Sequence, residues 1–300
     1  TEEVLIWEFW VPKSLMKKVE YTVEAYSAYT ELAVVKPDEG EEPPTLLKNA
    51  PWSSCIEPLT IMYGTPTYGK VDPTSLMAPF FFVFLGMCFG DAGYGLVVAG
   101  ILGYLLVKHK LSPTLRKFFV LMTVGMGMSV IFGAMTGSWF GDSVTAFPFL
   151  SGLVPLVHGI QVLDPMNDPM TLLLISLGLG FIQVMFGLAI AFAENWRSGD
   201  KMAAVSDQGG WMIFLLGLVL MGCSMTGYLP SAWVLPSKIV AIGGALLLVA
   251  TQGREKKGIA GKLFSGVLSL YNVTGFLGDV LSYSRLLALG LGSAAVGMVI

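Results

Sequence analysis

The sequence contains little charge, little histidine and few cysteines. Only 13% of its 300 residues are Asp, Glu, Lys or Arg, whereas 54% are hydrophobic. This excludes an ordinary soluble domain and is typical of a mainly all-α polytopic membrane protein. Cys55, Cys88 and Cys223 have no paired spacing, and there are only two histidines. We therefore expect reduced, packed cysteines, no metal site and no cofactor.

The charge that is present is unevenly distributed. Residues 1–72 hold 12 of the 21 acidic and six of the 18 basic residues. Within them "VLIWEFWVP" (4–12) predicts a short strand, residues 13–32 predict a helix that Pro12 introduces, and residues 34–52 are linker-like. We expect 1–72 to be the distal end of a cytosolic domain, a small α+β remnant with a linker, and 73–300 to be a transmembrane domain. The chain starts without Met and stops inside an apolar stretch, so we expect a piece of a longer protein.

Apolar stretches after residue 73 predict seven spans. A span needs about 20 residues to cross a hydrocarbon core of about 30 Å. Residues 75–107 are interrupted by "GDAGYG", so we interpret them as two shorter helices broken at Asp91. The last stretch is so long that its helix must tilt steeply or lie partly in the membrane–water interface. The predicted spans are 76–89, 92–107, 116–138, 170–193, 210–228, 237–252 and 260–300.

The basic residues of the loops support this count. If residues 1–72 are cytosolic, the inside loops hold ten Lys and Arg residues and the outside loops hold only Lys238. A single span over 75–107 would reverse this asymmetry. The positive-inside rule therefore favours the break at Asp91.

An arginine lies near the middle of the last apolar stretch. A cation at that depth costs several kcal/mol unless it meets water or an anion. Two interpretations stay open: Arg285 pairs with an acid inside the bundle, or another subunit supplies the anion along the small-residue face. The residues that share its helix face, at offsets of three, four and seven, are Gly278, Leu281, Ser282, Ala288, Leu289, Gly292 and Ala295.

Several segments resemble one family. "LSYSRLLALGLGSAA" (281–295) is similar to the arginine-bearing helix of the membrane subunit of rotary V/A-type ATPases, which is subunit I in prokaryotes and subunit a in eukaryotes. "EPLTIMYGTPTYGKVDPTSLMAPFFFVFLGMCFGDAGYG", "WVP" and "PPTLLKN" extend the resemblance along nearly the whole chain. "GDAGYG" and "RLLALGLGSAA" resemble prokaryotic versions. The family has eight membrane helices, so this resemblance implies that the chain ends in the seventh.

The resemblance implies a function without a catalytic ATP site on this chain. It implies a stator membrane subunit in the prokaryotic cell membrane, with its N-terminal part cytoplasmic, that forms two ion half-channels against a rotor ring of small membrane subunits. Arg285 would be the separating charge, because an opposite charge favours the ionised form of a rotor carboxylate. Proton or sodium movement would drive, or be driven by, ATP chemistry in partner subunits. Stalk subunits would bind the cytosolic domain, the bilayer would surround the rest, and nucleic acid would not bind.

Polar residues in the spans are the half-channel candidates. Asp91 is the strongest, since an acid in an apolar span at a Gly-rich break is a functional candidate. Glu194 could instead be a solvated acid at the membrane boundary. Gln183 could instead join two helices by a hydrogen bond. The half-channel candidates are Asp91, Tyr94, Gln183, Glu194, Asp279, Ser282 and Tyr283. The predicted rotor-facing small residues are Gly278, Ala288, Gly292 and Ala295.

Other functions have weaker support. A secondary transporter with a broken helix at Asp91 would show repeat symmetry between its halves, and the sequence has none. A purely structural anchor would need no buried arginine on a small-residue face. "GTPTYGKV" (64–71) begins like a phosphate-binding loop but continues with Asp72 and Pro73 instead of Ser or Thr and a helix. His109 and His158 stand alone, and we expect surface roles for both.

Overall fold

A computed structural model gives the architecture of the chain. It describes residues 5–38, 40–141, 144, 152, 154–165, 167–252 and 259–299, with the backbone alone for 156, 259–263 and 293–299. The described residues form helices and no strand. The chain divides into two compact units, Thr1–Ser75 and Leu76–Ile300. The predicted all-α membrane architecture is confirmed.

The first unit is sparsely structured. Its helices are α1 (Met16–Glu24), preceded by a 3-10 turn, and α2 (Glu57–Tyr63). The strand predicted within residues 4–12 is wrong, since residues 5–12 have no regular secondary structure. A strand requires a partner for its backbone hydrogen bonds, and the described residues offer none. The large apolar side chains of this segment are instead exposed, for example Trp7 at 75%.

A polar network closes the end of the first unit. Asn49 Nδ2 donates to Asp72 Oδ2 at 2.8 Å, and Ser75 Oγ donates to Asn49 Oδ1 at 2.9 Å. Asp72 Oδ1 accepts from the Thr74 N–H at 2.9 Å, at the start of the next helix. Burial raises the pKa of Asp72, but hydrogen bonds from Thr74 and Asn49 outweigh it, so the pKa is lowered. Side-chain hydrogen bonds therefore hold residues 72–75, the connector to the second unit.

The second unit holds the apolar helices. Five segments are long and apolar enough to cross a membrane by length and composition, and the two helices on either side of Asp91 are shorter, with 16 and 17 residues. The predicted break at Asp91 is confirmed, because one helix ends at Phe89 and the next begins at Ala92. The helices are α3 (Thr74–Phe89), α4 (Ala92–Lys108), α5 (Pro113–Thr136), α6 (Val154–Ile160), α7 (Pro169–Arg197), α8 (Lys201–Met225), α9 (Val234–Gln252), α10 (Ile259–Ser269), α11 (Val273–Ser282) and α12 (Ser284–Val299).

The last predicted span is not one regular helix. A 3-10 turn, Leu270–Asn272, separates α10 from α11, and the single residue Tyr283 separates α11 from α12. α8 is likewise irregular, with a π-helical segment over Ala204–Gly209. Hydropathy detects the length of these segments but not their irregular turns, which no Pro marks.

Two features set the positions of the functional residues. Glycines bring α4 and α5 into backbone contact: a Cβ on Gly133 would lie 2.1 Å from the Ala92 nitrogen. The buried side chains of Met87, Leu172 and Leu286 pack together and join α3, α7 and α12. The arginine-bearing helix is therefore anchored against α3 and α7 by apolar packing, which within a membrane acts through van der Waals contact.

Candidate functional site

Asp91 caps the break between α3 and α4. Its side chain is only 1% exposed. Oδ1 accepts hydrogen bonds from the Tyr94 N–H at 2.8 Å and the Phe140 N–H at 3.1 Å. Oδ2 accepts from Ser138 Oγ at 2.8 Å and the Gly141 N–H at 2.7 Å. Both oxygens are thus occupied by donors from the first turn of α4 and from the turn that follows α5.

Backbone contacts enclose Asp91 further. Its N–H donates to Ser129 Oγ at 3.3 Å, and Ser129 Oγ donates to the Asp91 carbonyl at 3.0 Å. Phe140 adopts a left-handed backbone with φ of 52°, and its ring lies where a Cβ on Gly93 would be, 2.5 Å from Cδ2. The Tyr94 ring packs edge-on against Phe140 and is 44% exposed. Asp91 and Tyr94 therefore form one group with the turn at 138–141.

Arg285 has the opposite surroundings. Its side chain is exposed, and its Nε–H donates to the Ser282 carbonyl at 3.1 Å. Within the described part of the chain, the guanidinium forms no ion pair with a carboxylate. The described small residues of its face, Gly278, Ala288 and Gly292, are exposed too, and the side chain of Ala295 lies outside the described residues. The arginine therefore lies on an open surface where small residues alternate with the exposed Leu281 and Leu289.

Four other candidates lie together next to this arginine. A cavity of about 250 Å³ is lined by Gln183, Asp279, Ser282 and Tyr283, together with Val184. The Tyr283 hydroxyl donates to Gln183 Oε1 across the gap between the last segment and α7. Asp279 is exposed. These four residues form a second group, around one opening.

Glu194 belongs to neither group. It lies 11 residues after Gln183 on α7, which is about 16 Å along a helix axis. Its side chain is half-buried, near the end of the helix at Arg197. The position favours the alternative interpretation of a boundary acid.

A larger cavity, of about 460 Å³, is lined in part by residues that follow Arg285 in the chain. It reaches Leu286 and Gly290 of α12, and it meets Gly90 beside the break. His158 Nδ1 and Gln161 Oε1 are 3.1 Å apart. The polar residues that line it are Thr136, Ser138, His158, Gln161, Asp164 and Asn167.

Sequence reasoning missed this polar wall. His158 is exposed, as expected, but it also lines the cavity. His158 lies on α6, whereas Gln161 and Asp164 follow its end at Ile160, so helical periodicity gave no signal that joins them. Ser138 and Gly141 gave no signal, since their role depends on Asp91, 47 and 50 residues earlier.

The two cavities give the site its arrangement. The smaller one borders residues 279–283 and the larger one borders residues 286–290, with Arg285 between the two stretches. The described residues include no group of three or more His, Cys, Asp or Glu that could hold a metal ion. Arg285 itself lines neither cavity. The site is thus an exposed cation whose neighbours in the chain line two separate openings.

Comparison with known proteins gives consistent relatives. Residues 1–140 match the sequence model of the V-type ATPase 116kDa subunit family. The A-type ATP synthase subunit I of Thermococcus kodakarensis is 31% identical over 97% of this chain and 43% of its own length. That of Methanocaldococcus jannaschii is 31% identical over 100% and 46%. The V-type ATP synthase subunit I of Borreliella burgdorferi is 27% identical over 87% and 43%. The chain spans less than half the length of these relatives.

Proposed function

Since the chain belongs to the V-type ATPase 116kDa subunit family, as its motifs predict, we propose that it is the ion-carrying stator part of a rotary ATPase. Its relatives are named as subunit I of A-type and V-type ATP synthases. In this proposal ATP chemistry takes place on partner subunits. The observation that carries the proposal is an exposed Arg285 with no carboxylate partner among the described residues, whose neighbours before and after it in the chain line two separate cavities.

The physics of the arginine supports a role opposite a rotor carboxylate. A carboxylate that faces lipid must be neutral, because the ionised form is too costly there. Opposite Arg285 the ionised form is favoured, since the guanidinium is always charged and can bind both carboxylate oxygens. With Nε bonded to the Ser282 carbonyl, the terminal nitrogens remain for that partner. Each rotor carboxylate then releases its ion on one side of Arg285 and reloads on the other.

The two cavities are our candidates for the two half-channels. If the basic loops lie in the cytoplasm, the last segment runs from inside to outside. The cavity at Asp279 and Ser282 then opens towards the cytoplasm. The cavity at His158 and Asp164 opens towards the outside. An ion would cross the membrane in two steps, through two openings that do not join.

The remaining candidates take supporting roles in this proposal. Asp91 holds the wall of the outer cavity, since its partners Ser138 and Gly141 line that cavity. Tyr94 packs on the same turn, and Glu194 is a boundary acid. The transporter alternative depends on Asp91 at a broken helix, but both Asp91 oxygens already accept two hydrogen bonds each. They are poorly placed to bind a substrate ion.

Partners and location follow from the same proposal. The surface of Gly278, Ala288, Gly292 and Ala295 would face the rotor ring, because small residues allow close helix approach. The first unit would contact stalk subunits on the cytoplasmic side, and the protein would reside in a prokaryotic cell membrane. Either H⁺ or Na⁺ is compatible with these residues, as the ion-binding group would lie on the rotor.

The test is ATP-driven ion uptake into vesicles that carry the whole complex. We expect Arg285→Gln to assemble with the ring and to hydrolyse ATP without moving ions. Arg197→Gln is the matched control, since Arg197 is exposed at the end of α7, and it should transport as the wild type does. Uptake near the wild-type level in Arg285→Gln would overturn the proposal.

A further inference from the structure

The helix is irregular just before the arginine. The Tyr283 N–H donates to the Val280 carbonyl at 3.1 Å, and the Leu286 N–H donates to the Tyr283 carbonyl at 3.0 Å. Both bonds span three residues, which is the tighter 3-10 pattern. Residues 279–289 contain no Gly or Pro, the usual causes of such a change. The bond from Ser282 Oγ to the Asp279 carbonyl, at 2.6 Å, accompanies the tightening.

Tertiary contacts of Tyr283 supply a cause. Its hydroxyl donates to Gln183 Oε1, and its ring lies 5.0 Å from the Phe84 ring. Gly180 provides the surface beneath the ring: a Cβ there would lie 2.2 Å from Tyr283 Cδ2. Gly180 and Gln183 are three residues apart and share a face of α7. α7 therefore holds the ring at one end and the hydroxyl at the other.

This contact sets the direction of Arg285. Successive helical residues are rotated by about 100°, so residues two apart differ by about 200°. With Tyr283 turned towards α7, Arg285 turns to the opposite, exposed side. Leu286 then turns inwards, where it is only 6% exposed. The Ser282 carbonyl adds one bond to Arg285 Nε.

We propose that Gly180, Gln183 and Tyr283 form a latch that fixes the rotation of the last helix and so keeps Arg285 on its exposed side. Tyr283 and Gln183 are then positioning residues and not ion carriers, because the hydroxyl and the amide oxygen are bonded to each other. The inference rests on the proposed function, since it assigns the latch to the residue that separates the half-channels.

The test is a double-mutant cycle in the whole complex. Tyr283→Phe and Gln183→Leu each remove one side of the bond, and the double variant removes both. The quantity measured is ions transported per ATP hydrolysed, in vesicles whose complexes retain the ring. A purely structural loss would lower the amount of complex and leave this ratio unchanged. Tyr271→Phe is the control, because Tyr271 precedes α11 and is 73% exposed.

We expect each single variant to lower the ratio by about fivefold, and the double variant to be no worse than either single one, since contacting residues couple. The pH dependence of uptake should keep its shape. Gly180→Ala should reproduce the loss with Tyr283 intact, because it displaces the ring. Tyr271→Phe should behave as the wild type.

Two results would overturn the latch. One is a wild-type ratio in Tyr283→Phe. The other is additive losses with a shifted pH dependence, which would make Gln183 and Tyr283 separate channel groups. Measuring Arg285→Gln in the same assay distinguishes failure of the latch from failure of the proposed function. If Arg285→Gln transports, the proposed function fails; if it does not while Tyr283→Phe transports fully, only the latch fails.

Discussion

Asp91, at the break between α3 and α4, and Arg285, in the first turn of α12, have opposite surroundings. Asp91 is 1% exposed, with each side-chain oxygen accepting two hydrogen bonds. Arg285 is exposed and makes one hydrogen bond, to the Ser282 carbonyl at the end of α11. A buried polar group that is fully bonded inside the chain stabilises the chain. A charged group left open on a small-residue surface is available to a partner. In our proposal Asp91 therefore has a structural role and Arg285 the role in ion transfer.

The largest loss of stability is expected from filling the contact beside Asp91. In Gly133→Leu the new side chain would meet the Ala92 backbone, where even a Cβ would lie at 2.1 Å. We expect destabilisation by about 3 kcal/mol or more and little assembled complex. Gly127→Leu, on the same helix with nothing within 4 Å of its Cβ, should assemble normally. The measurement is the yield and thermal stability of the purified complex.

The next largest effect on stability distinguishes Asp91 from Arg285. Asp91→Ala leaves four donors without their acceptor, and we expect a loss of about 3 kcal/mol. Arg285→Ala removes an exposed side chain and should change stability by less than about 0.5 kcal/mol. Thermal denaturation of both variants tests this, and equal losses would contradict the comparison.

A smaller effect is expected from one partner of Asp91. Ser138→Ala removes a single buried bond to Oδ2, and we expect a loss of about 1 kcal/mol. The matched control is Ser284→Ala, because Ser284 is exposed next to Arg285 and should have no measurable effect. A stable Ser138→Ala protein would mean that the bond to Asp91 contributes little.

The smallest expected effect on stability comes from Asp72, at the end of the first unit, and it depends on pH. The folded-state pKa of Asp72 is lowered, so its contribution to stability is present above the unfolded pKa and is lost as pH falls through the folded pKa. Solvent screening keeps it below about 0.5 kcal/mol. Asp72→Asn should therefore be less stable near neutral pH, and the difference should vanish in acid. A constant difference across pH, in thermal melts, would contradict this.

The fold was largely predictable because hydropathy and loop charge are local signals. They located the apolar segments and the interruption at Asp91. They failed at residues 4–12, where an apolar run predicts a strand but the described residues offer no partner strand. The short helix α6 also escaped the sequence analysis, as did the irregular residue Tyr283, which no Gly or Pro marks.

The site was less predictable because its contacts are distant in sequence. The sequence predicts Asp91 as a half-channel candidate, but three of the four donors that occupy its carboxylate come from residues 138–141. Gln183 and Tyr283 were both candidates, yet their bond joins residues 100 positions apart. A polar residue in an apolar span can be identified from the sequence. Only the tertiary structure shows whether its side chain is hydrogen-bonded within the chain or exposed to a partner.

The most direct test is ion uptake per assembled complex in Asp91→Asn beside Arg285→Gln. Asparagine has nearly the same size as aspartate. If its Oδ1 keeps the two backbone donors, its amide nitrogen takes the place of Oδ2. The Ser138 hydroxyl can then accept a hydrogen bond instead of donating one, but the Gly141 N–H would face a nitrogen that cannot accept. Our account predicts less complex from Asp91→Asn, with near-wild-type uptake by each complex that assembles. Arg285→Gln should assemble fully and transport nothing. A fully assembled Asp91→Asn complex that transports no ions would place Asp91 in the ion path and contradict the account.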